Sequence, residues 1–67
     1  MDAYNDVNNL QTRVKNLYNI FTTNMNYELA KSNAYLDDLD FSNAHDCITR
    51  ACVYKEIVDA LDPLSRI

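Results

Sequence analysis

Glycine is absent from this 67-residue sequence, and proline occurs once, at Pro63. Tight β-hairpin turns need positive φ angles, which glycine reaches most readily. The lack of glycine therefore argues against a β-rich fold, and it excludes the glycine-rich loops that bind phosphate groups. We expect an all-α protein.

Long apolar runs are also missing. No stretch approaches the roughly 18 residues that a membrane span needs, so we expect no membrane segment. The sequence has two cysteines, and neither a secretory segment after Met1 nor a glycosylation acceptor. We therefore expect a complete small protein of a reducing compartment, the cytoplasm, or the host cytoplasm if the protein is viral.

The charge is modestly one-sided, with ten acidic residues against six basic ones and a net charge of −4. Four of the acids lie in one ten-residue stretch: Asp37, Asp38, Asp40 and Asp46. A field of this sign repels phosphate, so nonspecific binding to nucleic acid is disfavoured.

The first part of the chain carries a heptad pattern typical of a coiled coil. Apolar residues recur at gaps of four and three: Ala3, Val7, Leu10, Val14, Leu17 and Phe21. This pattern predicts a helix over about residues 3–24. In one alternative the helix continues to about residue 36 through Met25, Leu29 and Leu36, a stutter in the heptad pattern in which Ser32 stands where an apolar residue is expected. In the other alternative the helix breaks near Asn24, and a third helix follows.

An acidic segment, residues 37–42, is the predicted connection, with Asp40 or Ser42 as the cap of the next helix. The last helix is expected over about residues 43–61, stopped by Pro63 and followed by a short tail, residues 62–67. Its apolar residues form two stripes. One stripe is Ala44, Cys47, Ala51, Tyr54, Val58 and Leu61, broadened by Ile48, and the other is Val53, Ile57, Ala60 and Leu64.

These elements predict a single helical domain, 1–67, either a hairpin or a three-helix bundle, with the long first helix antiparallel to the last. A last helix of 19 residues would span about 28 Å and cover a long first helix only to about residue 18. The heptad seam before that point would then be bare. A chain of this size buries only about 60% of its unfolded surface, so we expect dimerisation to complete the fold.

The residues that could bind a metal or take part in catalysis do not form a recognisable site. His45, Cys47 and Cys52 lack the spacing of a structural zinc site, and we expect Cys47 to be buried and Cys52 half-buried. The turn acids lack the glycine and glutamate of an EF-hand loop. With one histidine and no nucleophile motif, we expect no enzyme, no cofactor and no metal site.

Five tyrosines are many for this length, and tyrosine is favoured at protein interfaces. We expect Tyr54 in the core, Tyr18 and Tyr35 partly buried, and Tyr4 and Tyr27 at a contact surface. The residues expected at an interface are Ala3, Tyr4, Val7, Leu10, Val14, Leu17, Tyr27, Val53 and Ile57.

Two classes of function remain, besides that of a structural subunit in a larger assembly. The first is a non-enzymatic interaction module that forms a homodimer and binds another protein through helix faces, as a regulator or inhibitor. Its nine asparagines and lack of glycine suggest a phage or viral accessory protein. The second is a small dimeric helical regulator that associates with nucleic acid, by architectural analogy with antiparallel hairpin dimers.

Overall fold

The computed structural model describes the backbone of residues 3–66 and the side chains of residues 7–66. Within that range the chain forms two helices, α1 (Ala3–Asp37) and α2 (Phe41–Ser65), and no strand. The helices pack against each other as a hairpin. The predicted all-α hairpin is confirmed, and the three-helix alternative is wrong because α1 runs unbroken through residues 22–26.

The α1 residues that face α2 keep strict heptad spacing. We call them the α1 seam: Val14, Tyr18, Phe21, Met25, Glu28, Ser32 and Tyr35, all buried or half-buried. Glu28 and Ser32 are the most buried of the seven, although they are polar. The predicted stutter is therefore wrong, because the heptad continues through two polar positions that an apolar pattern passes over.

The α2 seam is the first of the two predicted stripes, extended by Ser65 and without Ile48, which is exposed. Ala44, Cys47, Ala51 and Val58 are buried, and Tyr54, Leu61 and Ser65 are half-buried. Near the turn these side chains are small and oppose Ser32, which allows the helix axes to approach closely. Farther along, the larger rings of Phe21 and Tyr54 meet with centroids 5.9 Å apart.

The connection is shorter than predicted, residues 38–40 instead of 37–42. The amide of Asp40 donates to the Tyr35 carbonyl at 2.8 Å, and that of Leu39 to the Leu36 carbonyl at 3.0 Å. This pair of bonds is a Schellman motif, whose C′ residue adopts the left-handed conformation usually taken by glycine. Here Leu39 adopts it, with φ of 59°.

Asp40 caps α2, which confirms one of the two predicted caps. Its carboxylate accepts hydrogen bonds from the backbone amide of Asn43 at 3.3 Å and from the Asn43 side chain at 2.7 Å. The cap lies two residues before Ser42, so α2 begins at Phe41 and not at residue 43.

The other end of α2 corrects a second expectation. Pro63 lies inside the helix and does not stop it at residue 61. Proline removes one backbone hydrogen bond there, while side chains support the last turn: Arg66 bridges to Asp62 at 3.0 Å, and the Ser65 hydroxyl donates to the Asp62 carbonyl at 2.8 Å. Because α2 is longer, Leu64 reaches the level of Val14 and Leu10, beyond the predicted limit near residue 18.

Neither helix, over the residues described, contains a stretch long and apolar enough to cross a membrane.

Leu39 gives the first prediction. A Cβ atom in the left-handed region costs roughly 1–2 kcal/mol, and the Leu39 side chain is 72% exposed and so contributes little packing. Leu39→Gly should therefore raise the free energy of unfolding by about 1 kcal/mol in urea titration. Leu39→Ala keeps the Cβ atom and should give no such gain. Equal stability of the two variants would contradict the role assigned to Leu39.

Candidate protein-protein interfaces

The hairpin hides little apolar surface. Among residues 7–66, the buried apolar residues are Ala44, Cys47, Ala51 and Val58, whereas most of the larger apolar side chains are exposed. The exposed set, among residues 7–66, is Val7, Leu10, Leu17, Ile20, Tyr27, Leu29, Leu36, Leu39, Phe41, Ile48, Val53 and Leu64. Any function of this chain must account for that surface.

A polar cluster between the helices marks one side of the hairpin. Arg50 donates through Nε to Glu28 Oε2 at 3.0 Å, and through Nη2 to the Sγ atom of Cys47 at 3.3 Å. Glu28 is 8% exposed, and the Arg50 side chain closes over it from the surface. An ion pair that is only partly buried, with the Arg50 side chain 48% exposed, contributes modestly to stability and more to the alignment of the helices. This one joins the two seams at a fixed register.

The environment of Glu28 favours its charged form. Burial opposes ionisation, but hydrogen bonds from Arg50 and Cys47, together with the positive charge of Arg50, outweigh it. The pKa of Glu28 therefore lies below its ordinary value of 4.5. The same hydrogen bond to Glu28 raises the pKa of Arg50.

The side marked by this cluster becomes apolar toward the open end of the hairpin. Leu17 and Leu10 lie 11 and 18 residues before Glu28, which is three and five helical turns. Ile57 and Leu64 lie two and four turns after Arg50. With Val53 beside them, these residues form what we call the open-end face: Leu10, Leu17, Val53, Ile57 and Leu64.

A groove adjoins this face where α2 ends. It has a volume of about 210 Å³ and is lined by Val7, Leu10, Gln11, Val14 and Leu64. The lining is almost entirely apolar, and the groove opens to solvent because α1 continues past the last turn of α2.

The opposite side of the hairpin is apolar near the turn. A smaller groove of about 90 Å³ lies between the helices there, lined by Met25, Leu29, Ile48, Ala51, Cys52 and Lys55. Leu36 follows Leu29 by two turns, and Phe41 precedes Ile48 by two turns, so both extend this surface toward the turn. We call Leu29, Leu36, Phe41 and Ile48 the turn-end face.

The structure brings several predicted interface residues together. Leu10, Leu17, Val53 and Ile57 share the open-end face, and Val7 and Val14 line the adjoining groove. Tyr27 lies apart, on the outer side of α1, with the Lys31 ammonium 5.2 Å from its ring centroid. The side chains of Ala3 and Tyr4 lie outside the described residues.

Sequence reasoning missed the turn-end face. The predicted stutter places Leu29 and Leu36 in the helix contact. The first stripe takes in Ile48, and Phe41 falls in the predicted connection. The heptad spacing through Glu28 and Ser32 was the signal that would have placed Leu29 and Leu36 outside the contact.

The tyrosines lie largely as predicted. Tyr18 and Tyr35 are partly buried and Tyr27 is exposed, while Tyr54 is half-buried in the α2 seam. Cys47 is buried as expected, but Cys52 is exposed where half-burial was expected, because it borders the turn-end groove and not the seam. Over the described residues, no three histidine, cysteine, aspartate or glutamate side chains gather closely enough to hold a metal ion.

The open-end face is energetically significant. The exposed fractions of its three leucines and its valine lie between 41% and 57%. Covering the exposed half of such a side chain is worth about 1 kcal/mol. The four exposed members of the face together represent about 4 kcal/mol per chain, which is a large fraction of the net stability of a small domain.

Comparisons of this chain with protein-family models, with curated proteins and with solved structures found no match.

The second prediction concerns pH. Because the pKa of Glu28 is lower in the folded chain than in the unfolded one, ionised Glu28 stabilises the fold above about pH 4.5, and this stabilisation is lost as pH falls through the folded pKa. Glu28→Gln should therefore lower the thermal midpoint at pH 7, and the difference from the wild type should disappear in strong acid.

The matched control is Glu56→Gln, which changes an exposed glutamate of α2. It should shift the midpoint little at any pH. A difference between the wild type and Glu28→Gln that stays constant from neutral to acidic pH would show that the ion pair does not carry this dependence.

Proposed function

We propose that this protein is a non-enzymatic interaction module that forms a homodimer and binds another protein through its helix faces, as a small regulator or inhibitor. The observation that carries the proposal is the distribution of apolar surface. A two-helix hairpin leaves two separate apolar faces on opposite sides and toward opposite ends. Exposed apolar surface of this extent is typical of proteins that bind other proteins.

The turn-end face supports the proposal most directly as a target site. Its groove lies between the two helices and has an almost entirely apolar lining, and apolar grooves are where proteins bind amphipathic helices. The exposed carboxylates of Asp37 and Asp38 stand beside it at the turn. We therefore expect the target to contribute a helix with apolar residues at heptad spacing and basic residues near one end.

The third prediction tests target binding. The immobilised protein is used to capture proteins from extracts of its natural source, with Ile48→Asp as the test variant. The control Asn19→Asp adds the same charge on the outer side of α1. Asn19 lies two and a half turns before Glu28 and therefore on the side of the helix opposite to it. The wild type and Asn19→Asp should retain one protein in stoichiometric amount, and Ile48→Asp should lose it.

The extract experiment also has an outcome that contradicts the proposal. Material that is released by nuclease or by moderate salt would indicate a nucleic-acid ligand, since phosphate-driven binding falls steeply with ionic strength. Equal capture by the wild type and Ile48→Asp would remove the turn-end face as the target site. Circular dichroism of each variant checks that the helices are retained.

A further inference from the structure

We infer that a second copy of this chain docks on the open-end face, so that two hairpins lie antiparallel and overlap along their open halves as a two-fold symmetric four-helix bundle. The inference rests on the proposed function, because it specifies the surface and the symmetry of the self-association. It also leaves both turn-end faces free for a target.

The first argument for a second copy is availability. A hairpin of this size is stable only if more of its apolar surface is covered. That surface has to be covered when the chain folds, before the chain meets any target. Another copy of the chain is present wherever the chain is made. A two-fold contact also matches a face to itself, so the five apolar residues of one copy meet the same five of the other.

The second argument is charge. The chain carries a net charge of −4, and Asp37, Asp38 and Asp40 concentrate negative charge at the turn. In a two-fold contact centred on the open-end face, near Leu17, the two turns point in opposite directions and lie roughly 65 Å apart. That separation is many times the Debye length of about 8 Å, so the turns do not repel each other.

A two-fold contact through the turn-end face is disfavoured by the desolvation of carboxylates and not by repulsion between the turns, which even there lie more than two Debye lengths apart. If the two-fold axis lay at the middle of this face, between the levels of Leu29 and Phe41, the two turns would lie only about 20 Å apart along the helix axes. Each acidic turn would then stand over the apolar groove of the other copy. The distribution of charge therefore favours self-association at the open end and a basic partner at the turn end.

The geometry also predicts which residues meet. Leu17 lies between the levels of Leu64 and Ile57 and hence near the two-fold axis, so that each Leu17 side chain packs against its counterpart. The overlap is two helices wide and roughly 22 Å long, from the level of Leu10 to that of Val53. An interface of this extent belongs at the low end of specific contacts, so the dimer should dissociate on dilution.

In such a dimer, the turn-end faces point outward at opposite ends. The assembly would then offer two equivalent target sites, and two linked sites bind a repeated or dimeric target more tightly than one.

The fourth prediction uses a matched pair of variants. Leu17 and Leu36 are each 41% exposed, and one lies on each face. The wild type should show about twice the mass of the 7.8 kDa chain in light scattering at high concentration. Leu17→Asp should shift the protein to monomer, whereas Leu36→Asp should leave the dimer intact.

A disulfide experiment keeps the inference testable if Leu17→Asp fails to fold. In a Cys52→Ser background, Leu17→Cys places a thiol near the proposed axis, and Leu36→Cys places one on the other face at equal exposure. Oxidation at a concentration at which the wild type is dimeric should link the Leu17→Cys chains into a covalent dimer within minutes, and should link the Leu36→Cys chains at least tenfold more slowly.

Three outcomes would overturn the inference. One is a wild type that stays monomeric at every concentration tested. Another is a dimer disrupted by Leu36→Asp and not by Leu17→Asp. A third is equal disulfide formation at the two positions. A dimer through a different surface would leave the proposed interaction role standing, whereas a monomer that captures no protein would remove both.

Discussion

The structure depends on a helix contact whose fully buried part consists largely of small and polar side chains. Ala44, Cys47 and Ala51 of α2 pack near Glu28 and Ser32 of α1, and the bridge from Arg50 to Glu28 closes the contact at its edge. Small residues allow the helix axes to approach, and the ion pair fixes their register, but neither buries much apolar area. Most of the larger apolar side chains therefore lie outside the contact, and those within it, such as Phe21 and Tyr54, are only half-buried.

This constraint links the fold to the proposed role. Heptad spacing commits one stripe of each helix to the partner helix, and the leucines and isoleucines that flank the stripes point to the two sides of the hairpin. The apolar residues of α1 and α2 combine into one face near the open end and another near the turn. Because the acids gather at the turn, the two faces differ in electrostatic surroundings and suit different partners.

Much of this architecture was predictable from the sequence, because heptad periodicity and the acidic connection are strong local signals. The rest depended on residues that break the usual correspondence between polarity and burial. Glu28 is buried because Arg50 pairs with it, and Tyr18 takes the seam position that the pattern gave to Leu17. Leu39 occupies a glycine-like conformation, and Pro63 sits within a helix whose last turn is held by side chains. The conformation of Leu39 and the place of Pro63 inside a helix have no signature in composition or spacing, whereas the heptad spacing of residues 14–35 does indicate the burial of Glu28 and the seam position of Tyr18.

The most direct test of the central claim, that one hairpin cannot cover its own apolar surface, is the urea midpoint of unfolding measured over a thousandfold range of protein concentration. If folding is linked to association, the midpoint rises steadily with concentration, because mass action favours the assembled state. A midpoint that stays the same across the range, for a chain that is folded at the lowest concentration, would contradict the account.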